Sequence, residues 1–327
     1  MELCGRALYN LLRITSQEDP NLKVKPWQVA DYRSLSSKQL FENLKDLKVI
    51  LDKNALEAYA EECDSPEDLL DCLWLDEGSE DDQEFCYLLL FELWRRLLPE
   101  KQSLSIFCDE LDHCIELYDQ GLLDDEEVLQ KHLRDLEDVL DETVDRGQAS
   151  PLEVFQNVSR YCAHDLEGFL YDYISDQIQS DNTIYASELL DACYDYVADK
   201  KWFDLLKAWL FANNDVEELN RVATGLFNDL LDAPDLDLLL EIAKFLVHRG
   251  DVRLFMQAIG RSLVLLKTEE QFQIILKLVA EYYRCLDKDS EQQHIQQLIQ
   301  KRVGYNLERP VDPTDPAFKH ISMLLSI

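Results

Sequence analysis

Two Glu-x-x-His pairs, Glu110/His113 and Glu291/His294, are the first candidates for chemistry. Residues three apart share a helix face. Two such pairs with two further glutamates build the di-metal carboxylate centre of ferritin-like bundles. Glu92, inside "LLLFELWRRLL", is the best-placed extra carboxylate, but Arg95 and Arg96 stand ready to pair with it on the same helix. Glu291 and His294 lie in "DSEQQHIQQL", a polar context, whereas metal ligands should project from an apolar core. The stretch "YCAHD" sets Cys162, His164 and Asp165 close together. Helical residues two apart face different ways, so Cys162 and His164 would not pair. An EF-hand needs D-x-[DN]-x-[DN]-G and a glutamate at the twelfth position. "DEGSEDDQE" has its glycine too early, and "DKDSEQQHIQQL" lacks both. Glycine-rich phosphate loops, G-x-S-x-G and H-E-x-x-H are absent from the sequence. The expectation is no catalysis, no metal and no cofactor.

Charge is the stronger signal. The chain carries 66 Asp and Glu against 32 Lys and Arg, a net charge of −34. Residues 241–327 hold 11 acids and 12 basic residues, so the excess belongs to the first three quarters. Those quarters would repel nucleic acid and anionic membrane and attract basic proteins or cations. From Asn54 to Trp94 there are 14 carboxylates and no Lys or Arg. Within that stretch Asp76, Glu77, Glu80, Asp81, Asp82 and Glu84 are the densest group and the leading candidates for meeting a basic partner. Part of this charge follows from helix grammar, since carboxylates are favoured at helix N-termini. Spread at the phosphate density of a duplex, ~35 charges would cover about 60 Å, which permits mimicry of nucleic acid if several helices combine.

The elements that must carry these residues are helices. Gly and Pro number nine each, too few for a turn-rich sheet protein. "SSKQLFENLKDLKVIL" sets Leu40, Phe41, Leu44, Leu47 and Ile50 on one stripe. "SPEDLLDCLWL" starts with Ser65 as cap and Pro66 at the first helical position. "SPLEVF" repeats this with Ser150 and Pro151, and Glu153 completes a capping box. Gly121 and Gly147 close two further helices, the second striped by Leu129, Leu133, Leu136 and Leu140. Nine cysteines with no C-x-x-C pair read as reduced thiols, mostly buried, in a cytoplasmic protein. The longest mostly apolar run, "FCYLLLFELW", is too short to span a membrane.

From about Asp181 three stretches read as helix, tight turn, helix: 183–214, 235–266 and 269–300. Residues 183–300 resemble tetratricopeptide-type or related α-solenoid repeats. Ile242, Ala243, Leu246 and Gly250 fall where that repeat places its first-helix residues and turn, while Phe255 and Thr268 depart from its small residue and terminal proline. The resemblance implies stacked hairpins with a groove for a peptide or protein. Trp202 and Trp209, seven apart in "DKKWFDLLKAWLF", are either packing between hairpins or anchors in such a groove.

Together these readings give an all-α protein of about fourteen helices. An acidic N-terminal helical region (1–147) leads into a solenoid-like region of hairpins (148–309). An extended connector with a short last helix (310–327) follows. The expected function is a non-enzymatic scaffold, adaptor or chaperone-like protein whose acidic surface binds a basic protein. Direct binding of nucleic acid or membrane is not expected. The alternatives are an acidic nucleic-acid mimic that blocks a DNA-binding protein and a helical di-metal carboxylate enzyme.

Overall fold

The computed structural model describes residues 2–74, 78–147, 149–211, 216–249 and 252–324. Among them the chain is all-helical, with seventeen α-helices, two single-turn 3-10 segments and no strand. None of these helices is long and apolar enough to cross a membrane. The chain divides into two compact units, residues 1–173 with 191–198, and residues 174–190 with 199–327. The boundary expected at 147/148 falls between two helices of the first unit.

The first unit is organised around one buried helix. Helix α1 (Arg6–Glu18) is followed by the 3-10 segments Pro26–Gln28 and Tyr32–Ser34 and by α2 (Ser37–Asp46), α3 (Lys53–Tyr59) and α4 (Pro66–Leu73). Then comes α5 (Glu80–Leu97), in which every residue from Cys86 to Trp94 is buried. A helix apolar on all sides belongs in an interior. It takes α2, α4 and the second 3-10 segment as neighbours. The one charge in that run, Glu92, is neutralised by the Arg95 and Arg96 guanidiniums. Arg96 also donates to the carbonyls of Tyr32 and Arg33 at 2.9 Å each, the first of which also takes the Leu35 N–H.

Helices α6 (Leu104–Asp119), α7 (Glu126–Asp145) and α8 (Pro151–Ser159) pack in succession, and α9 (Leu166–Gln179) runs through the unit boundary. Serine caps begin α2, α4, α5, α6 and α8, and Ser150 with Glu153 forms the capping box that its spacing predicts. Gly121, at φ +64°, ends α6 with the Leu122 N–H bonded back to the Leu117 carbonyl at 2.8 Å. The stripe read for α2 runs too far. Lys48 adopts φ +66°, and the Val49 N–H returns to the Leu44 carbonyl at 2.9 Å. The chain reverses there, so Leu40 and Leu44 are buried while Ile50 is 87% exposed.

The second unit is a stack of antiparallel hairpins. Helix α10 (Thr183–Cys193), whose last three residues belong to the first unit, precedes α11 (Lys200–Phe211), α12 (Val216–Asp232), α13 (Leu236–Arg249), α14 (Val252–Leu265), α15 (Glu269–Cys285) and α16 (Asp289–Gln300). The pairs are α11 with α12, α13 with α14 and α15 with α16, and α13 also touches α11 and α15. The sequence reading paired α11 with the helix before it. The structure pairs it with α12, which supplies Leu226, Phe227 and Leu230 to the core shared with Leu205. Gly250, the expected turn residue of the second hairpin, lies outside the described residues.

The last helix, α17 (Pro316–Leu324), buries Ala317 and Ile321. The connector before it is held at the start of α15. Glu269 and Glu270 N–H groups donate to the Arg309 and Leu307 carbonyls at 2.9 and 3.0 Å, and Val311 N–H to the Lys267 carbonyl at 3.1 Å. The Glu269 carboxylate, fully buried, takes Arg302 at 2.6 Å and Arg309 at 3.2 Å. Arg302 also reaches Asp315 at 2.9 Å.

Candidate functional site

A cleft of about 380 Å³ lined by charged and polar groups lies between α1 and α6 in the first unit. Arg6, Asn10 and Arg13 follow the i, i+4, i+7 face of α1. Asp109, Asp112 and Glu116 answer from α6. Asp109 is buried and collects Asn10 Nδ2 at 2.9 Å, Arg33 at 2.5 Å and Arg6 at 3.5 Å. Burial pushes its carboxyl up, but Arg33, Arg6 and the Asn10 hydrogen bond outweigh that and hold it below its ordinary value. Arg13 forks onto Glu116, one arm at 3.0 Å. Asp112 accepts the backbone N–H groups of Ala163 and His164 at 2.7 and 3.1 Å and the His164 ring Nδ1 at 3.0 Å.

These groups satisfy one another. A ligand entering the cleft would have to break buried, charge-assisted bonds. Their work is to tie α1, the second 3-10 segment and the turn before α9 to α6. The two cleft histidines part in behaviour. Burial opposes charging of His164, yet the Asp112 hydrogen bond and charge, with Asp119 and Glu116, hold its pKa above the ordinary value. Burial, joined by Arg33, lowers that of His113.

Of the sequence-predicted metal ligands, Glu110 is held by Arg33 at 3.1 Å and Arg95 at 2.9 Å, and Glu92 by two guanidiniums. Glu291 is half-buried in the other unit, and the His294 ring lies 4.4 Å from that of His320. Cys162 is buried, with its thiol raised by hydrogen bonding to Cys108 and by burial.

The acidic candidates divide. Asp76 and Glu77 lie outside the described residues. Glu80, Asp81 and Asp82 are exposed in the first turn of α5, where the dipole favours them. Asp82 completes a capping box with Ser79, Asp81 pairs with Lys25, and Glu84 is half-buried beside Tyr9. Trp202 and Trp209 are half-buried against the hairpin core, Trp209 stacking on Phe245 with ring centroids 5.8 Å apart.

A different acidic face breaks helix grammar. The last half of α7 carries Glu137, Asp138, Asp141, Glu142 and Asp145, with no basic residue in its final turn. Four are exposed. They form like-charge neighbours at 137/141, 138/142 and 141/145, at the helix end where the dipole disfavours anions. Glu142 meets Arg146 at 3.3 Å, and Asp141 accepts the Tyr196 hydroxyl. Burial and then the charges of Asp141 and Asp138 push the Glu137 carboxyl up. The signal was in the sequence, as acids at a helix C-terminus.

Comparison of the chain with protein-family models, curated proteins and solved structures finds no match.

Proposed function

We propose that this chain is a non-enzymatic scaffold or adaptor that binds a basic protein through its acidic helical surface, with its hairpin stack serving as a tetratricopeptide-like platform. One observation carries this reading. Five carboxylates crowd the C-terminal half of α7, where helix grammar gives no reason for them and where they repel one another. A face that costs stability in the free protein gains it back when a row of lysines or arginines lies along it. The acids that begin α5 need no such explanation, since capping and the dipole account for them.

The test is titration of the full chain with a lysine- and arginine-rich peptide by calorimetry at low and high salt. Binding should weaken with salt. It should also weaken in the triple variant Asp138→Asn, Glu142→Gln, Asp145→Asn, and an uncharged peptide of equal length should not bind. Salt-independent binding, or equal affinity in the triple variant, removes the basis for this reading.

A further inference from the structure

On the second unit, three potential metal ligands converge on the adjacent helices α13 and α15. His248 comes from α13. Glu281 and Cys285, four residues apart, project from one face of α15. One ligating atom of each, an imidazole nitrogen, a carboxylate oxygen and the thiol sulfur, lies within 4.8 Å of the other two. The Cys285 Sγ is 3.6 Å from His248 Nδ1.

That last distance has a meaning. With zinc about 2.3 Å from sulfur and about 2.0–2.1 Å from nitrogen, a tetrahedral angle sets the two ligand atoms ~3.6 Å apart. The sulfur and the imidazole already stand at the edge length of a zinc tetrahedron. The carboxylate has at most about 1.5 Å to close, within reach of a side-chain rotation at a half-buried position. We propose that His248, Glu281 and Cys285 bind a zinc ion, with water at the fourth vertex.

The donor set selects the metal. A thiolate with an imidazole favours zinc over calcium or magnesium, which take oxygen ligands. Arg284 is compatible with the site. Its guanidinium forks onto Glu281, with Nε 2.9 Å from Oε2. Metal binding at Oε1 would release the Arg284 Nη2 arm and leave Nε on Oε2 as an outer hydrogen-bond donor, and such donors orient ligands. Binding exchanges the thiol proton for the metal: Cys285–SH releases H⁺ to solvent and the sulfur enters as thiolate. No electron is transferred.

Cobalt(II) reports on the geometry directly. Chelator-stripped, reduced full-length protein given one equivalent of Co²⁺ should develop a thiolate-to-cobalt charge-transfer band with the d–d bands of a tetrahedral ion, bleached by Zn²⁺ and not by Mg²⁺. Cys285→Ser should lose the charge-transfer band. Zinc affinity should fall by about tenfold or more in Arg284→Gln, the scale set by loss of an outer partner, and further in His248→Ala. His320→Ala should leave it unchanged. These positions are on the surface, and far-UV circular dichroism checks that each variant is folded. Absence of the band in the wild-type protein overturns the proposal. So does a band that survives Cys285→Ser and disappears in Cys72→Ser, which would assign the metal to the other exposed thiol.

Discussion

The C-terminal half of α7 can be tested without knowing any partner. In the variant Asp138→Asn, Glu142→Gln, Asp145→Asn, five like-charge contacts disappear: 135/138, 138/141, 138/142, 141/145 and 142/145. Each is worth about 0.2–0.5 kcal/mol on a helix surface. Glu142 and Asp145 also stop opposing the dipole, a further ~0.3–1 kcal/mol each at low salt. Against this, the exposed Glu142–Arg146 pair is lost, and pairs of its kind contribute about 0.3–0.5 kcal/mol. Solvent screening trims every one of these contributions, leaving about 1 kcal/mol of net stabilisation. Asp141 is kept because the Tyr196 hydroxyl uses it. Native-state hydrogen exchange reads the local opening of α7, and amides in its last two turns should exchange about fivefold more slowly in the variant. The gain should shrink at about 1 M salt, where the Debye length falls to ~3 Å. Faster exchange in the variant, or a gain indifferent to salt, would show that these carboxylates are not in conflict with their helix.

Three further outcomes follow from the interior. In a histidine titration by NMR, His164 should protonate at higher pH than His113, because Asp112 holds the imidazolium of one while burial disfavours that of the other. A raised folded pKa means that the His164 contribution to stability is fully present below its unfolded pKa and is lost as pH rises through the folded one, so His164→Gln should flatten that limb of the stability profile. Arg302→Met should destabilise the second unit by about 3–5 kcal/mol by leaving the Glu269 carboxylate buried with a weaker set of partners, and Glu269→Leu added to it should restore part of the loss in chemical denaturation. Diamide should cross-link Cys63 to Cys72 before any other pair, since their sulfurs lie 3.6 Å apart and Cys72 is exposed, and a peptide map finding another disulfide first would contradict this.

What was legible in the sequence was local. Ser65 before Pro66, Ser150 three residues before Glu153 and the leucine stripe of α7 each name a helix boundary or a buried face within one or two turns. Ile50 was misplaced because the stripe continues in sequence past Lys48, where the backbone turns left-handed, and periodicity carries no sign of such a turn. The polar interior was not legible. Asp109 meets Asn10 across 99 residues and Arg33 across 76, and Glu269 meets Arg302 across 33. No spacing rule links such partners, because only tertiary packing brings them together. His248 and Cys285, 37 residues apart, belong to the same class. The Glu-x-x-His pairs show the converse: a correct helical spacing, with Glu110 taken by arginines from outside its own helix.

The clamp on Glu269 also bears on the order in which the second unit is completed during synthesis. Helix α15 leaves the ribosome before residues 302–315, which carry Arg302, Arg309 and Asp315. Until they emerge, docking α15 would bury a carboxylate with no counter-charge from the connector, at a cost of several kcal/mol. The third hairpin therefore waits, loosely associated, for the connector to lie down beside it. Its closure follows the emergence of residues 302–315, and a nascent chain ending before residue 302 would present the second unit with its last hairpin undocked.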